Sequence, residues 1–233
     1  MGYNYWYGID YTYIIFVLPA LIISLWAQMR VTTAFSKYEK ILSSSGLSGA
    51  DVAYRILNLN NIHDVKIERV RGRLTDHYDP AAKILRLSEP VFASSSIAAV
   101  CVAAHECGHA IQHAKGYTPL TLRTKIYPVV SISSSISVPL IIIGLIANTP
   151  YLITAGIIFF SAVVVFQLVT LPVEFNASKR ALAVLESTQI LSSNELSGAK
   201  KVLSAAALTY VASALTSLMQ LIRLIVISNN RRD

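Results

Sequence analysis

Apolar residues follow two rhythms along this chain. In four stretches they run almost unbroken: residues 11–29 (YTYIIFVLPALIISLWAQM), 128–147 (PVVSISSSISVPLIIIGLIA), 151–171 (YLITAGIIFFSAVVVFQLVTL) and 202–228 (VLSAAALTYVASALTSLMQLIRLIVIS). A helix needs about 20 such residues to cross a bilayer, so the first three predict transmembrane helices. The uncharged NTP link turns the second and third into a hairpin over 128–171. The fourth carries Arg223 and reads as either spanning or interfacial.

Between the first two spans, over 30–127, the rhythm changes. SGLSGADVAYRILNLNNI predicts a capped helix with Val52, Ile56 and Leu59 on its apolar face. DVKIERV and KILRLSEPVF alternate apolar and polar positions, as half-buried strands do. RGRLTDHYDPAA between them reads as a turn-rich connection. A helix is expected over 94–114, opened by three serines, and a further helical segment over 172–201. The whole predicts a mainly α membrane protein of three to four transmembrane helices with a small α+β insertion.

Composition agrees: 54% of the 233 residues are hydrophobic and 14% charged, against about 25% charged in soluble domains. The net charge of +7 does not imply nucleic acid, because the basic residues are dispersed among acids with no aromatic-basic stripe. They concentrate in Arg30 to Lys125 and in Lys179, Arg180, Lys200 and Lys201. The positive-inside rule therefore places both segments in the cytoplasm and the N-terminus outside, with Tyr3, Tyr5, Trp6 and Tyr7 as an interfacial belt. A fourth crossing would put Arg231 and Arg232 on the outer side, against that rule. The leader has no Lys or Arg and does not read as a signal peptide. Cys101 and Cys107 are six residues apart, so on a helix they point roughly 240° apart and cannot bridge.

The candidate chemistry lies in AVCVAAHECGHAIQHAKGY, residues 99–117. His105, Glu106 and His109 match H-E-x-x-H. Histidines at i and i+4 project from one helical face, about 6 Å apart along the axis. Both imidazoles can reach one Zn²⁺ at about 2.0–2.1 Å, with Glu106 beside them to act on water rather than to ligate. A third ligand is needed. His113 lies about 9 Å along the axis from an ion held between the other two, so on a continuous helix it is a helix-end residue. Glu174 in LPVEFNASKRAL is the better candidate, because the hairpin returns the chain to the side it left. The alternative is an interfacial Glu174 paired with Lys179 or Arg180. Cys107 faces away from both histidines and reads as packing.

On these residues the sequence resembles the membrane gluzincins of the HtpX and CaaX-protease type. It is most similar to the YugP-like bacterial zinc metallopeptidases, through LPALIISLWAQ, GRLTDHYDP, LRLSEPVF, AAHECGHAIQHAKGY, LPVEFNASKRAL and ALTYVASAL. The resemblance implies a zincin-like domain facing the cytoplasm from a bacterial plasma membrane, with His105, His109 and Glu174 as zinc ligands and Glu106 as base. HtpX-like enzymes usually carry Asp four residues after the ligand Glu; here that position is Ser178.

The expected activity is hydrolysis of peptide bonds in membrane or membrane-associated proteins by a metal-activated water. Tyr210 and His77 are candidate donors to the oxyanion, each against a packing or loop reading. KILRLS is expected to offer an edge to an extended substrate. The competing reading, from a different class, is a catalytically silent scaffold that keeps a structural metal. Glu106 argues against it, since a structural site needs no acid beside its ligands. A transporter is disfavoured because the apolar spans hold few acids.

Overall fold

The computed structural model describes residues 11–229; Tyr3, Tyr5, Trp6, Tyr7, Arg231 and Arg232 lie outside the described residues. A π-helical turn, Tyr13–Val17, leads into α1 Leu18–Tyr38, followed by α2 Gly49–Leu59, β1 Lys66–Val70, β2 His77–Asp79, β3 Ile84–Ser88 and α3 Glu89–Phe92. Then come α4 Ile97–Ala114, α5 Thr118–Ile146, α6 Pro150–Ser187 and α7 Ser193–Asn229. Among the described residues four helices are long and apolar enough to cross a membrane: Tyr13–Tyr38, α5, α6 and α7. The fourth apolar stretch is thus of the same class as the other three. The chain is a mainly α membrane protein with a small mixed three-stranded sheet.

The chain divides into two compact units. One comprises residues up to Ala27, Leu122–Leu171 and Thr209 onward, the bulk of the apolar helices. Its helices approach through small residues, as lipid-embedded helices do. A Cβ on Gly156 would lie 2.9 Å from the carbonyl oxygen of Ser137, and Ser24 Oγ meets Thr216 Oγ1 at 2.9 Å.

The other unit comprises Gln28–Thr121 and Pro172–Leu208. Ser48 caps α2 by accepting from the Asp51 N–H at 3.2 Å, while Asp51 Oδ2 accepts from the Ser48 N–H at 3.0 Å. This reciprocal box satisfies two donors that a helix start otherwise leaves unpaired. Val52, Ala53, Ile56 and Leu57 are buried on α2. Leu59, expected on that face, is 57% exposed, because the buried stripe follows i, i+1, i+4, i+5 and turns past it. Ser96 caps α4 by accepting from the Ala99 N–H at 3.2 Å. The alanines of α4 leave room for Phe35, Ile56, Leu85, Leu87 and Leu185 in one core.

The sheet order is β1-β3-β2, with β1 parallel and β2 antiparallel to β3. Two expectations change here. KILRLS contains β3, which pairs on both sides and offers no edge; its Leu85 and Leu87 are fully buried. The connection RGRLTDHYDPAA holds a strand of its own, β2, which is an outer strand, as β1 is on the other side. The Ser88 N–H and hydroxyl donate to the two oxygens of Asp76, at 2.7 and 2.8 Å, and fix where β2 begins.

α6 also departs from expectation. It passes through Pro172 unbroken instead of ending and restarting. At 1.5 Å per residue its 38 residues extend about 57 Å, far beyond the roughly 30 Å of a bilayer core. Its C-terminal half packs against α4. There Gly108 lies so close to α6 that a Cβ would sit 2.6 Å from the Ala177 carbonyl oxygen. A backbone oxygen cannot swing aside. Gly108→Ala is therefore expected to destabilise the protein by about 1–2 kcal/mol, the overpacking cost outweighing the gain in helix propensity. Thermal unfolding in detergent checks this, and a raised melting temperature would contradict it.

Candidate metal centre

Four residues of α4 share an arc of about 100° around the helix: His105, Gly108, His109 and Gln112, at i, i+3, i+4 and i+7. This face packs on Val173, Glu174, Ala177 and Ser178 of α6. His105 Nε2 lies 3.3 Å and His109 Nε2 3.5 Å from the same oxygen, Glu174 Oε2. The two rings stand edge to face, 4.8 Å between centroids and 87° between planes. The imidazoles keep 12% and 10% of their surface exposed, Glu174 only 3%. Among the described residues these three form a group able to hold a metal ion, their donor atoms all within 4.8 Å of one another.

The separations fit zinc. Tetrahedral coordination at about 2.0–2.1 Å sets neighbouring donors about 3.3–3.4 Å apart. The donor set of two imidazole nitrogens and a carboxylate oxygen suits the same ion.

The outward-facing ring nitrogens are held as well. Gln112 Nε2 donates to the Val173 carbonyl at 2.8 Å and to Asn176 Oδ1 at 3.0 Å. A carbonyl only accepts, so the amide is oriented and its Oε1 faces His109 Nδ1 at 3.1 Å. Nδ1 then carries the proton and Nε2 is left with a lone pair directed at Glu174. Ser178 Oγ stands 3.2 Å from His105 Nδ1, so a neutral hydroxyl meets that ring. Gln112 was absent from the sequence-based candidates. The signal available was a polar residue three positions after His109 on an otherwise apolar stripe.

Glu106 is turned about 100° from His105 and is 7% exposed. The backbone of Tyr78, on β2, lies beside it and favours the charged form. Burial is the main reason its carboxyl is pushed up to about 7; the charges of Glu174 and Asp76 add to this, and His105 opposes it. Cys107 is fully buried with its thiol 3.7 Å from the Ala53 carbonyl, and burial pushes that thiol well above its ordinary range. It is a packing residue.

The other candidates lie elsewhere. His113 is exposed at the end of α4, its Nδ1 2.8 Å from the Tyr78 hydroxyl. Burial, with Asp64 and Asp79, pushes that hydroxyl up to about 12, so the phenol stays protonated at neutral pH. His77 is exposed on β2, its Nδ1 2.8 Å from the Thr75 carbonyl. Tyr210 is half-buried on α7, in the unit of apolar helices.

Residues 13–229 match the family described as "Putative neutral zinc metallopeptidase". The chain is also 52% identical, over 221 residues, to the "Putative membrane protease YugP" of Bacillus subtilis (strain 168); the match covers 95% of this chain and 98% of that protein. No solved structure matches the chain. With more than nine-tenths of its length matched in both comparisons, the chain belongs to this family of neutral zinc metallopeptidases.

Proposed function

We propose that this protein is a zinc-dependent endopeptidase of the membrane, cleaving membrane or membrane-associated proteins at its cytoplasmic face. The observation that carries this reading is the convergence of His105 Nε2, His109 Nε2 and Glu174 Oε2 beside a buried fourth residue, Glu106, that is not part of the ligand group. His105, His109 and Glu174 would hold the ion. Zinc bound there would supply Lewis acidity, polarising the scissile carbonyl and acidifying water.

The chain's own residues do the rest. Glu106 takes the proton of the attacking water and delivers it to the leaving amine. Its apolar surroundings suit this work, because a carboxylate near neutral pKa accepts and releases a proton at comparable cost. Gln112 and Ser178 keep Nε2 of each histidine directed inward. An extended peptide would pair along β2, which replaces β3 as the edge beside Glu106. Tyr210 and His77 are the candidates for steadying the oxyanion. Glu174 follows the last apolar residue of its span by only three positions on one unbroken helix, about 4.5 Å. That spacing favours substrates held near the bilayer. A purely structural metal gives no role to Glu106, so the scaffold reading is the weaker one.

Glu106→Gln is expected to keep zinc at the wild-type level and to slow cleavage of casein or a membrane-protein substrate by about 10²–10⁴-fold. Paired measurement of zinc content and proteolysis checks this, and undiminished cleavage would remove Glu106 from the mechanism. Glu174→Ala is expected to lose zinc on purification, whereas His113→Ala keeps it; elemental analysis of both proteins decides between the two as third ligand. Gln112→Leu is expected to weaken zinc retention by about 10–100-fold, read by competition with a chelator. Retention equal to wild type would show that the amide does not position His109.

A further inference from the structure

A second feature lies away from the metal centre, where α1 and α7 face each other. A groove of about 410 Å³ is lined there by Arg30, Lys200 and Lys201, with Ser197 and Ser204 between them and Leu208 at one end. Among the described residues no acidic side chain lines it. Arg30, Lys200, Lys201 and both serines are exposed. The neighbouring acid on α7, Glu195, is turned onto another partner: it accepts from the N–H and hydroxyl of Ser44 at 2.6 and 2.8 Å, and from those of Ser192 at 2.7 and 2.8 Å. α1 and α7 are in close contact nearby, where a Cβ on Gly198 would lie 2.6 Å from the Tyr38 ring.

The position of these cations in the sequence identifies their surroundings. Arg30 immediately follows the apolar run 11–29, and Lys200 and Lys201 immediately precede the run 202–228. All three therefore mark the same kind of boundary, where a helix passes from hydrocarbon to water. From Ser197 to Leu208 the groove follows α7 for about 16 Å, from a polar, cationic end to an apolar one. Three cations and two hydroxyls along the groove and a leucine at its end match one ligand chemistry: a phosphodiester anion attached to acyl chains. Basic pockets between helices at a membrane surface hold anionic headgroups in this way.

We propose that Arg30, Lys200 and Lys201 form a binding site for an anionic phospholipid, with the phosphate held by the three cations and Ser204 and an acyl chain lying past Leu208. The site is independent of the metal centre and of the proposed protease activity.

The test uses the full chain reconstituted in phosphatidylcholine bilayers. Spin-labelled phosphatidylglycerol is compared with spin-labelled phosphatidylcholine of the same chains, and the fraction of each immobilised by the protein is read. The wild type is expected to prefer phosphatidylglycerol. That preference should fall about fivefold for each cation removed and reach parity in the triple variant Arg30→Gln/Lys200→Gln/Lys201→Gln. Arg55→Gln/Lys66→Gln, which removes two cations elsewhere, should keep it. Ser204→Glu leaves every cation in place at an exposed position and should also abolish the preference, so the proposal stands or falls even if the triple variant does not fold. An undiminished preference in Ser204→Glu, or an equal loss in Arg55→Gln/Lys66→Gln, would overturn it. Excess inorganic phosphate should not displace the lipid; displacement would make the site one for a soluble anion.

Discussion

The contact between α4 and α6 at Gly108 and Ala177 is the constraint on which the metal centre depends. An α-helix carrying histidines at i and i+4 presents two donors on one face, and nothing in that helix supplies a third. The third donor comes from α6, and it reaches the histidines only because the residue between them on the shared face has no side chain. With Cβ atoms on both helices the axes would stand further apart, and Glu174 Oε2 would leave the 3.3–3.5 Å range it now occupies. The glycine in HECGH is thus a spacing device: it trades helix propensity, about 1 kcal/mol relative to alanine, for close approach.

That approach makes an interface with unusual demands. A helix pair normally buries apolar stripes, yet here two imidazoles, a carboxylate and two amides lie in it. Buried polar groups are costly unless each is matched, and the interface matches them in sequence. Asn176 Oδ1 accepts from both Gln112 Nε2 and Arg180 Nε, the latter at 2.7 Å. Gln112 also spans to the Val173 carbonyl, and Ser178 meets His105. Both outward-facing ring nitrogens have a partner, and the inward-facing donors converge on one point. A divalent cation at that point would satisfy all three donors at once, which is the physical reason for reading the cluster as a metal site.

Much of this was legible in the sequence because it is local. Spacings of four residues fix which side chains share a helical face, so His105 and His109 were readable as a pair, and the breadth of an uninterrupted apolar run identified the membrane helices. Pairings between elements were much less legible. β2 is three residues long and largely polar, so no alternation announces it; the clamp of Asp76 on Ser88, twelve residues away, sets it in place. KILRLS alternates as an edge strand would, because alternation records that one face is buried and not how many neighbours a strand has. Leu59 satisfies helical spacing from Val52 and Ile56 and still faces outward, because the buried stripe also uses Ala53 and Leu57. Pro172 suggests a boundary on propensity alone. The helix nonetheless continues through it.

The placement of Glu106 shows why the motif spacing is compact. Its neighbour His105 points at α6, and one residue further round the helix the side chain turns toward the sheet, beside Tyr78. Ligands and proposed base are therefore held by different walls: the ligands by α6 through Gln112 and Ser178, the base by β2. A change in the sheet that moved Tyr78 would shift Glu106 without touching the histidines, and a change in α6 would do the reverse. Adjacent positions on one helix are the simplest means of keeping the two within reach of a single substrate bond while letting each be set independently.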